Sequence, residues 1–223
     1  MTAPATVDEP TRLFVLRHGQ TAWNAQLRIQ GHLDMPLNAL GRWQADRLAD
    51  ALQDEELAAI YSSDLLRACE TAAPLARARA LPVITDTGLR ERAFGHFEGC
   101  TFQEIEERWP EDATRWRQRE PGFGPGGGEA LRDFYARCVQ AALNLASRHA
   151  GQTIALVAHG GVLDCLYRAA VGIELQAPRS WQVANATVNR MLWTPQGLSL
   201  VGWNDAAHLE AGPHDQPPPA DTP

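Results

Sequence analysis

The stretch of sequence that decides the fold is Leu13-Phe14-Val15-Leu16-Arg17-His18-Gly19-Gln20-Thr21-Ala22-Trp23-Asn24. Its four apolar residues run directly into an Arg-His-Gly triplet, which predicts a short buried strand that stops at a turn. In an open α/β sheet, ligands bind where strands end, because the helices that follow present their N-termini there. The glycine lets a ligand approach the backbone closely, and the polar side chains around it predict an anion site that contains a nucleophile. We expect the anion to be a phosphoryl group.

A second histidine is predicted at the end of another strand. Residues 153–158 form a continuous apolar run of the kind that is buried on both faces of a sheet, and this run ends in His159-Gly160-Gly161. The remaining predicted strands are residues 58–63, residues 82–85, and a hairpin of residues 187–194 and 198–203 at the sheet edge. Together these segments predict an α/β protein with one mixed sheet.

Composition limits the class of protein. The chain has 223 residues, of which 44% are hydrophobic and 21% charged, as in an ordinary one-domain globular protein. A net charge of −7 argues against a nucleic-acid partner, and no apolar run reaches the length of a membrane span. The N-terminus lacks the order of a signal peptide, so we expect a cytoplasmic protein without a membrane partner. Four widely spaced cysteines, Cys69, Cys100, Cys138 and Cys165, are expected to be buried thiols.

Helix signals and composition divide the chain further. Asn38 is a predicted N-cap, and Ser63 or Asp64 is expected to cap a helix that carries Arg67 in its first turn. Residues 1–11 are predicted to be a disordered lead and the Pro-rich residues 206–223 a disordered tail. Residues 12–205 are then a single domain, with an insertion at about residues 100–128 that is charged and ends in a Gly/Pro-rich segment.

The longer motifs resemble those of a known family. The pattern Arg17-His18-Gly19-x-Thr21-x-x-Asn24, followed by Gln30-Gly31 and by Ser62-Ser63-Asp64-Leu65-x-Arg67-Ala68, resembles the signature of the histidine phosphatase superfamily, also called phosphoglycerate-mutase-like proteins. The resemblance extends from Leu13 to Trp203. It implies a three-layer α/β/α sandwich with a mostly parallel central sheet, an antiparallel edge strand and a small helical cap formed by the insertion.

The resemblance also suggests a role for each motif residue. His18 would attack phosphorus and form a phosphohistidine, Arg17 and Arg67 would bind the phosphoryl oxygens with Asn24, and His159 would stabilise the transition state. Glu91 matches the proton donor of the family. The remaining residues expected to bind phosphate or substrate are Thr21, Gln30, Gly31, Gly160 and Arg92.

Two of these interpretations have structural alternatives. Arg67 lies three residues before Glu70, so it is alternatively an exposed helix arginine that pairs with Glu70. Arg115, Arg117 and Arg119 in the insertion either contact substrate or, as we expect, lie on a solvated helix face.

The expected activity is metal-independent hydrolysis of a phosphomonoester on a small phosphorylated metabolite, without a cofactor or a metal, in a monomer or homodimer. The short insertion and the His159-Gly160-Gly161 triplet resemble the phosphatase branch of the family. A cofactor-dependent phosphoglycerate mutase is the alternative, because Glu91-Arg92-x-Phe94-Gly95 resembles the carboxylate clamp of the mutases, although Phe94 lacks the hydroxyl of their tyrosine. A non-catalytic protein that binds a phosphorylated ligand is a third possibility, which the presence of both His18 and Glu91 disfavours.

Overall fold

A six-stranded sheet forms the centre of the computed structural model, which describes residues 9–210. The strands are β1 (Thr11–Arg17), β2 (Ala59–Ser62), β3 (Val83–Thr85), β4 (Thr153–Ala158), β5 (Val188–Thr194) and β6 (Gly197–Asp205). Their order across the sheet is β3-β2-β4-β1-β5-β6. The first four strands are parallel, whereas β5 runs antiparallel to β1 and β6 antiparallel to β5. The predicted sheet, with its antiparallel hairpin at one edge, is confirmed.

Helices cover both faces of the sheet and make three layers. The helices are α1 (Ala22–Ala25), α2 (Ala39–Ala51), α3 (Leu66–Arg79), α4 (Phe102–Arg108), α5 (Pro110–Arg117), α6 (Leu131–Ala146) and α7 (Gly160–Val171). Side chains alternate between the two faces along β1, because the period of a strand is two residues. Leu13 and Val15 therefore pack with α6 and α7, while Phe14 and Leu16 pack with α2 and α3.

The insertion forms a separate small unit. Helices α4 and α5 and the loop after them enclose their own apolar cluster, which consists of Phe97, Cys100, Ile105, Ala113, Trp116 and Phe123. This cluster is separate from the two clusters on the faces of the sheet. The cap is thus held together by its own core, next to the strand ends where the predicted site residues lie.

The N-terminus of α3 differs from the prediction. Asn38 does cap α2, since its Oδ1 accepts a hydrogen bond from Gly41 N–H at 2.8 Å. At α3, however, the capping position is Leu65, and the Leu66 N–H donates to Asp34 Oδ1 at 2.6 Å. Asp64 instead accepts a hydrogen bond from Arg90 Nε at 2.7 Å. The prediction of Ser63 or Asp64 as the cap was wrong, because a residue 32 positions away supplies the acceptor.

The ends of the domain extend slightly beyond the predicted limits. β1 begins at Thr11, and Ala207–Leu209 form a short 3₁₀ helix in which the His208 ring contacts the Ala186 carbonyl at 3.0 Å. Residues 1–8 of the predicted lead and 211–223 of the predicted tail lie outside the described residues. Cys100, Cys138 and Cys165 are buried and Cys69 is half-buried. Within residues 9–210, no helix combines the length and the apolar character needed to cross a bilayer.

Candidate active site

A cavity lies at the carboxyl ends of β1 and β4, beneath the cap. It has a volume of about 660 Å³. The site residues predicted from the sequence that line it are Arg17, His18, Asn24, Gln30, Gly31, Arg67, Glu91, Arg92 and Gly160. Residues separated by more than 140 positions in the sequence are therefore brought to one cavity, because parallel strands end at the same edge of the sheet.

His18 is held in one orientation directly after β1. Its ring Nδ1 lies 2.7 Å from the Gly19 carbonyl oxygen, and its side chain is buried, as only 2% of the residue is exposed. A carbonyl oxygen only accepts hydrogen bonds, so Nδ1 carries the proton and Nε2 keeps its lone pair. The backbone is fixed on both sides, since the His18 N–H donates to Ala158 O at 3.0 Å and Asn185 Nδ2 donates to His18 O at 2.9 Å. The result is a neutral imidazole with a free nucleophilic nitrogen.

His159 packs against His18 from the end of β4. The two ring centroids are 5.2 Å apart, with the planes inclined by 57°. Residue 159 is fully buried, and neither of its ring nitrogens has a hydrogen-bond partner among the described residues. Unpaired buried polar atoms are rare in folded proteins, and they are expected where a ligand supplies the missing partner. The His159 ring is therefore available to donate to an anion bound beside His18.

Burial keeps both histidines neutral. It lowers the pKa of His18 and of His159 well below 6.5, and the nearby positive charge of Arg67 lowers both further. Burial likewise lowers the pKa of Arg17 to about 10 and also lowers that of Arg67. Two arginines that remain charged at neutral pH thus face two histidines that do not, which is a site with a strong preference for an anion.

Two backbone carbonyl oxygens hold the Arg67 side chain in place. Its Nη1 donates to Leu33 O at 3.0 Å and its Nη2 to Gly31 O at 2.8 Å, with only 1% of the residue exposed. Its Nε has no partner in the described structure. The alternative pairing with Glu70 is wrong, because Glu70 Oε2 accepts a hydrogen bond from Leu37 N–H at 2.7 Å.

Arg17 is fixed in a similar manner from the other side of the sheet. Its Nη1 donates to the Val183 carbonyl oxygen, and its Nε has no partner among residues 9–210. Each arginine therefore uses part of its guanidinium on the protein and keeps at least one buried N–H available. Guanidinium groups fixed in this way are well suited to the geometry of phosphoryl oxygens.

Glu91 reaches the site from the loop after β3. Its Oε2 accepts a hydrogen bond from the Gly161 N–H at 3.0 Å, and its Oε1 accepts one from the Arg92 N–H at 2.9 Å. The Glu91 carbonyl oxygen is contacted by His32 Nε2 at 2.8 Å and by Arg137 Nη2 at 3.2 Å. Glu91 is thus fixed at both its side chain and its backbone, and it faces the same cavity as His18.

Thr21 and Asn24 have different positions. They form a reciprocal capping box at α1, in which Thr21 Oγ1 accepts from Asn24 N–H at 3.1 Å and Asn24 Oδ1 accepts from Thr21 N–H at 3.0 Å. Thr21 is fully buried and does not line the cavity, so its observed role is to hold the loop. Because Asn24 uses its oxygen for the cap, its side-chain NH₂ is the group left to face the cavity.

The arginines of the cap are bound to protein groups. Arg92 lines the cavity and donates from Nε to Glu129 O at 2.9 Å and from Nη2 to Phe123 O at 2.6 Å. Arg115 is on a solvated face, as expected, where it pairs with Glu120. Arg119 does not fit that expectation, because only 11% of its side chain is exposed and its Nη2 donates to Asp164 Oδ2 at 2.7 Å. The prediction of a solvated face was wrong for Arg119, whose partner lies 45 residues away.

The family model of the histidine phosphatase superfamily (branch 1) matches residues 13–206. The chain belongs to this superfamily. The resemblance drawn from the motifs is thereby confirmed.

Relatives within the superfamily have different names. Phosphoglycerate mutase-like protein 4 of Arabidopsis thaliana is 40% identical over 202 residues, which are 89% of this chain and 86% of that protein. The metal-independent phosphoserine phosphatase of Arabidopsis thaliana is 35% identical over 206 residues, which are 91% of this chain and 85% of the relative. The structure of Bacillus stearothermophilus YhfR superposes with a TM-score of 0.84 at 34% identity and covers 90% of this chain and 100% of that one.

One segment that lines the cavity of this superfamily member was not found from the sequence. It consists of Arg179, Trp181, Gln182, Val183, Ala184 and Asn185, which precede β5. A signal was present, because an antiparallel β5 must begin where β1 ends, and the register pairs Leu16 with Val188. The residues just before the predicted hairpin must therefore lie next to the site.

Within residues 9–210, no three His, Cys, Asp or Glu side chains lie close enough to hold a metal ion together.

Proposed function

We propose that the chain is a metal-independent phosphomonoester hydrolase that acts through a phosphohistidine on a small phosphorylated metabolite. The observation that carries the proposal is the orientation of the His18 ring. Its Nδ1–H donates a hydrogen bond to the Gly19 carbonyl oxygen, and its Nε2 is left free in a cavity that Arg17 and Arg67 also line. A neutral imidazole of this kind is a competent nucleophile. Membership of the superfamily and the relative named a metal-independent phosphoserine phosphatase support the same reaction.

In the first step, His18 Nε2 attacks phosphorus and forms an N–P bond while the P–O bond to the leaving group breaks. Glu91 holds a proton in the substrate complex and transfers it to the departing oxygen. Arg17, Arg67, His159 and the Asn24 NH₂ group donate hydrogen bonds to the phosphoryl oxygens, whose charge is greatest at this point. Preorganised donors of this kind each lower the barrier by about 3–4 kcal/mol.

In the second step, water attacks phosphorus and the N–P bond breaks, which returns the electron pair to His18 Nε2. Glu91, now a carboxylate, accepts the proton of the water. Inorganic phosphate leaves and the site returns to its starting state. The two arginines supply the positive charge that phosphoryl transfer requires, so the proposed reaction needs no metal ion.

A mutase is the second candidate. The specific observation in its favour is Arg92, which lines the cavity next to Glu91 and could face a substrate carboxylate. Against it, two nitrogens of Arg92 donate to backbone carbonyls of the cap, and Phe94 provides no hydroxyl. A cytoplasmic location and a monomeric or homodimeric state rest on composition and resemblance, and they stay predictions.

The test is an assay with p-nitrophenyl phosphate and, in parallel, 3-phosphoglycerate with and without 2,3-bisphosphoglycerate, all in EDTA. We expect phosphate release that EDTA does not change and that His18→Ala lowers by more than about a hundredfold. Isomerisation of 3-phosphoglycerate without phosphate release would identify a mutase. Bound phosphate without turnover of any ester would identify a binding protein.

A further inference from the structure

The cavity is much larger than the phosphoryl site it contains. Its volume of about 660 Å³ lies in the middle of the range of about 300–1,000 Å³ that is typical of pockets for drug-sized ligands. Of the phosphoryl-binding side chains proposed above, Arg17, Arg67 and Asn24 line it, and residues of α1, the cap and the segment before β5 form other parts of its lining. The rest of the cavity is available to the leaving group of the substrate. The side chains that line this space therefore determine which leaving groups fit.

One side of this space is apolar. Three residues come from α1 and the loop after it, and three come from the cap and the loop that leads to it. We call this set the apolar wall, and its members are Trp23, Leu27, Ile29, Phe94, Phe102 and Trp116. The cap rings pack on one another, since the Trp116 ring centroid is 5.7 Å from that of Phe94 and 5.3 Å from that of Phe102. The wall is therefore a continuous aromatic surface in its upper part.

The two halves of the wall are fixed to each other. The Ile29 N–H donates to Cys100 O at 2.9 Å, and the Gly99 N–H donates to Ile29 O at 2.8 Å. The edge of the Trp23 ring lies against Gly99, where an added Cβ would be 3.4 Å from the ring. The surface is thus already formed in the free protein, so binding to it costs little ordering of the chain.

The exposure of Leu27 is unusual for a residue in this position. It is 55% exposed and has a φ of 54°, a left-handed conformation that leucine seldom adopts. Leu27 therefore presents apolar surface to water among the residues that line the cavity. A ligand with apolar surface would cover it.

Four of the arginines that line the cavity are held by protein groups. Arg28 binds Glu104, Arg117 binds Glu106, and Arg119 binds Asp164. Arg92 donates to two cap carbonyls. A leaving group with a second anionic group would therefore have to compete with protein partners for these cations. An uncharged apolar group meets no such competition.

The proton donor must lie beside the leaving oxygen, so the leaving group begins at Glu91, and Phe94 of the apolar wall lines the same cavity three residues further along the loop. Resting on the proposed function for its phosphoryl end, we propose that the substrate is a phosphomonoester whose alcohol carries an apolar, preferably aromatic, group that packs on the apolar wall. This class differs from small polar phosphates such as phosphoserine or phosphoglycerate.

The first test measures binding, which does not depend on turnover. Isothermal titration calorimetry compares 3-phenylpropylphosphonate with propylphosphonate, two non-hydrolysable ligands that differ only in the ring. Burial of the ring predicts a dissociation constant about 10–100-fold lower for the phenyl ligand. Equal constants would overturn the proposal, whatever the enzyme does with esters.

The second test measures turnover with three esters of primary alcohols, whose leaving groups have similar chemistry. We expect kcat/KM to be about 10–100-fold higher for 3-phenylpropyl phosphate than for propyl phosphate, and higher than for O-phosphoserine. Hydrolysis that favours O-phosphoserine would overturn the proposal but leave the phosphatase function intact. Ring-dependent binding without hydrolysis of any ester would support the apolar wall and overturn the proposed function instead.

Two variants test whether the apolar wall causes the preference for the phenyl ligand. Leu27→Asn suits the left-handed backbone and removes apolar surface, and Phe102→Ala removes one ring of the wall. Each is expected to lower the ratio of the two phosphonate affinities by at least about threefold. The matched control is Val201→Ser on β6, which is 61% exposed and outside the cavity, and it should leave the ratio unchanged. An unchanged ratio in Leu27→Asn and in Phe102→Ala would overturn the assignment of the wall.

Discussion

Glu91 Oε2 accepts a hydrogen bond from the backbone N–H of Gly161, 3.0 Å away, so the loop after β3 is joined to the first turn of α7. That turn directly follows His159, which packs on His18. The proposed proton donor, the second histidine and the nucleophile are therefore connected through one short chain of contacts. A change at either end of this chain is expected to alter the chemistry before it alters the fold.

Glu91→Gln is expected to separate the two chemical steps. The amide preserves size and can still accept from Gly161, but it cannot transfer a proton. With an alkyl ester, kcat should fall by about 10²–10⁴-fold. With p-nitrophenyl phosphate the leaving group needs no proton, so the first step should persist and the second should slow. Stopped-flow absorbance should then show a burst of nitrophenolate equal to the enzyme concentration.

The control for this experiment is His18→Ala, which cannot form the intermediate and should show no burst. Intact-protein mass spectrometry after a neutral quench should detect the phosphorylated chain only in Glu91→Gln. Equal loss of activity on both esters, without a burst, would contradict the role proposed for Glu91.

Gly161→Ala should impair catalysis with little loss of stability. A methyl group at this position would overlap Glu91 Oε1 and come within 3.1 Å of the Phe134 ring. The carboxyl group is the more mobile neighbour, so it should move, and kcat should fall by about tenfold or more. Gly160→Ala is the matched comparison, because its methyl group would meet Arg17 at an ordinary contact distance of 3.4 Å. Comparable losses in both variants would argue against the Glu91 contact as the cause.

The parts of this site that could be predicted from the sequence depend on local patterns. The strand before Arg17-His18-Gly19 and the strand before His159 are short apolar runs that end at glycine turns, and this local pattern predicts both of them. Parallel pairing then places their ends together, as β1 and β4 do from Arg12 with Thr153 to Arg17 with Ala158. Nothing beyond strand direction was needed for that step.

The parts that could not be predicted depend on partners distant in the sequence. Asp34 caps α3 from 32 residues away, and Arg119 is neutralised by Asp164 from 45 residues away. Neither pair leaves a spacing pattern, because each depends on where a loop lies after folding. Thr21 shows the converse case, since it matches the motif but serves α1 as a cap and does not line the cavity.

The two buried histidines should make the protein less stable in acid. Burial lowers the pKa of His18 and His159 well below the unfolded value of 6.5, so below pH 6.5 the unfolded chain binds protons that the folded chain does not. The free energy of unfolding must then decrease as the pH falls below 6.5, by up to about 1.4 kcal/mol per pH unit for each histidine.

Urea unfolding at pH 7.5, 6.5 and 5.5 measures this effect. His159→Gln has no titrating ring at this position, and its stability should fall less steeply between pH 6.5 and 5.5 than that of the wild type. The double variant with His18→Gln should show the flattest dependence. Parallel curves for all three proteins would show that these rings do not titrate differently in the folded and unfolded states.

Asp164→Asn should strongly destabilise the junction between the cap and α7. Asp164 Oδ2 accepts from Arg119 Nη2 at 2.7 Å and from Arg168 Nε at 3.0 Å. The side chains of Asp164, Arg119 and Arg168 are 6%, 11% and 0% exposed, so solvent cannot replace the carboxylate. Loss of its charge leaves two buried guanidinium groups uncompensated, which should cost about 3–5 kcal/mol of the free energy of unfolding in urea. Asp133→Asn is the control, because its pair with Arg132 is exposed and should contribute little. A loss below about 1 kcal/mol in Asp164→Asn would mean that the two arginines find other acceptors, such as the Leu175 and Glu174 carbonyls that they already contact.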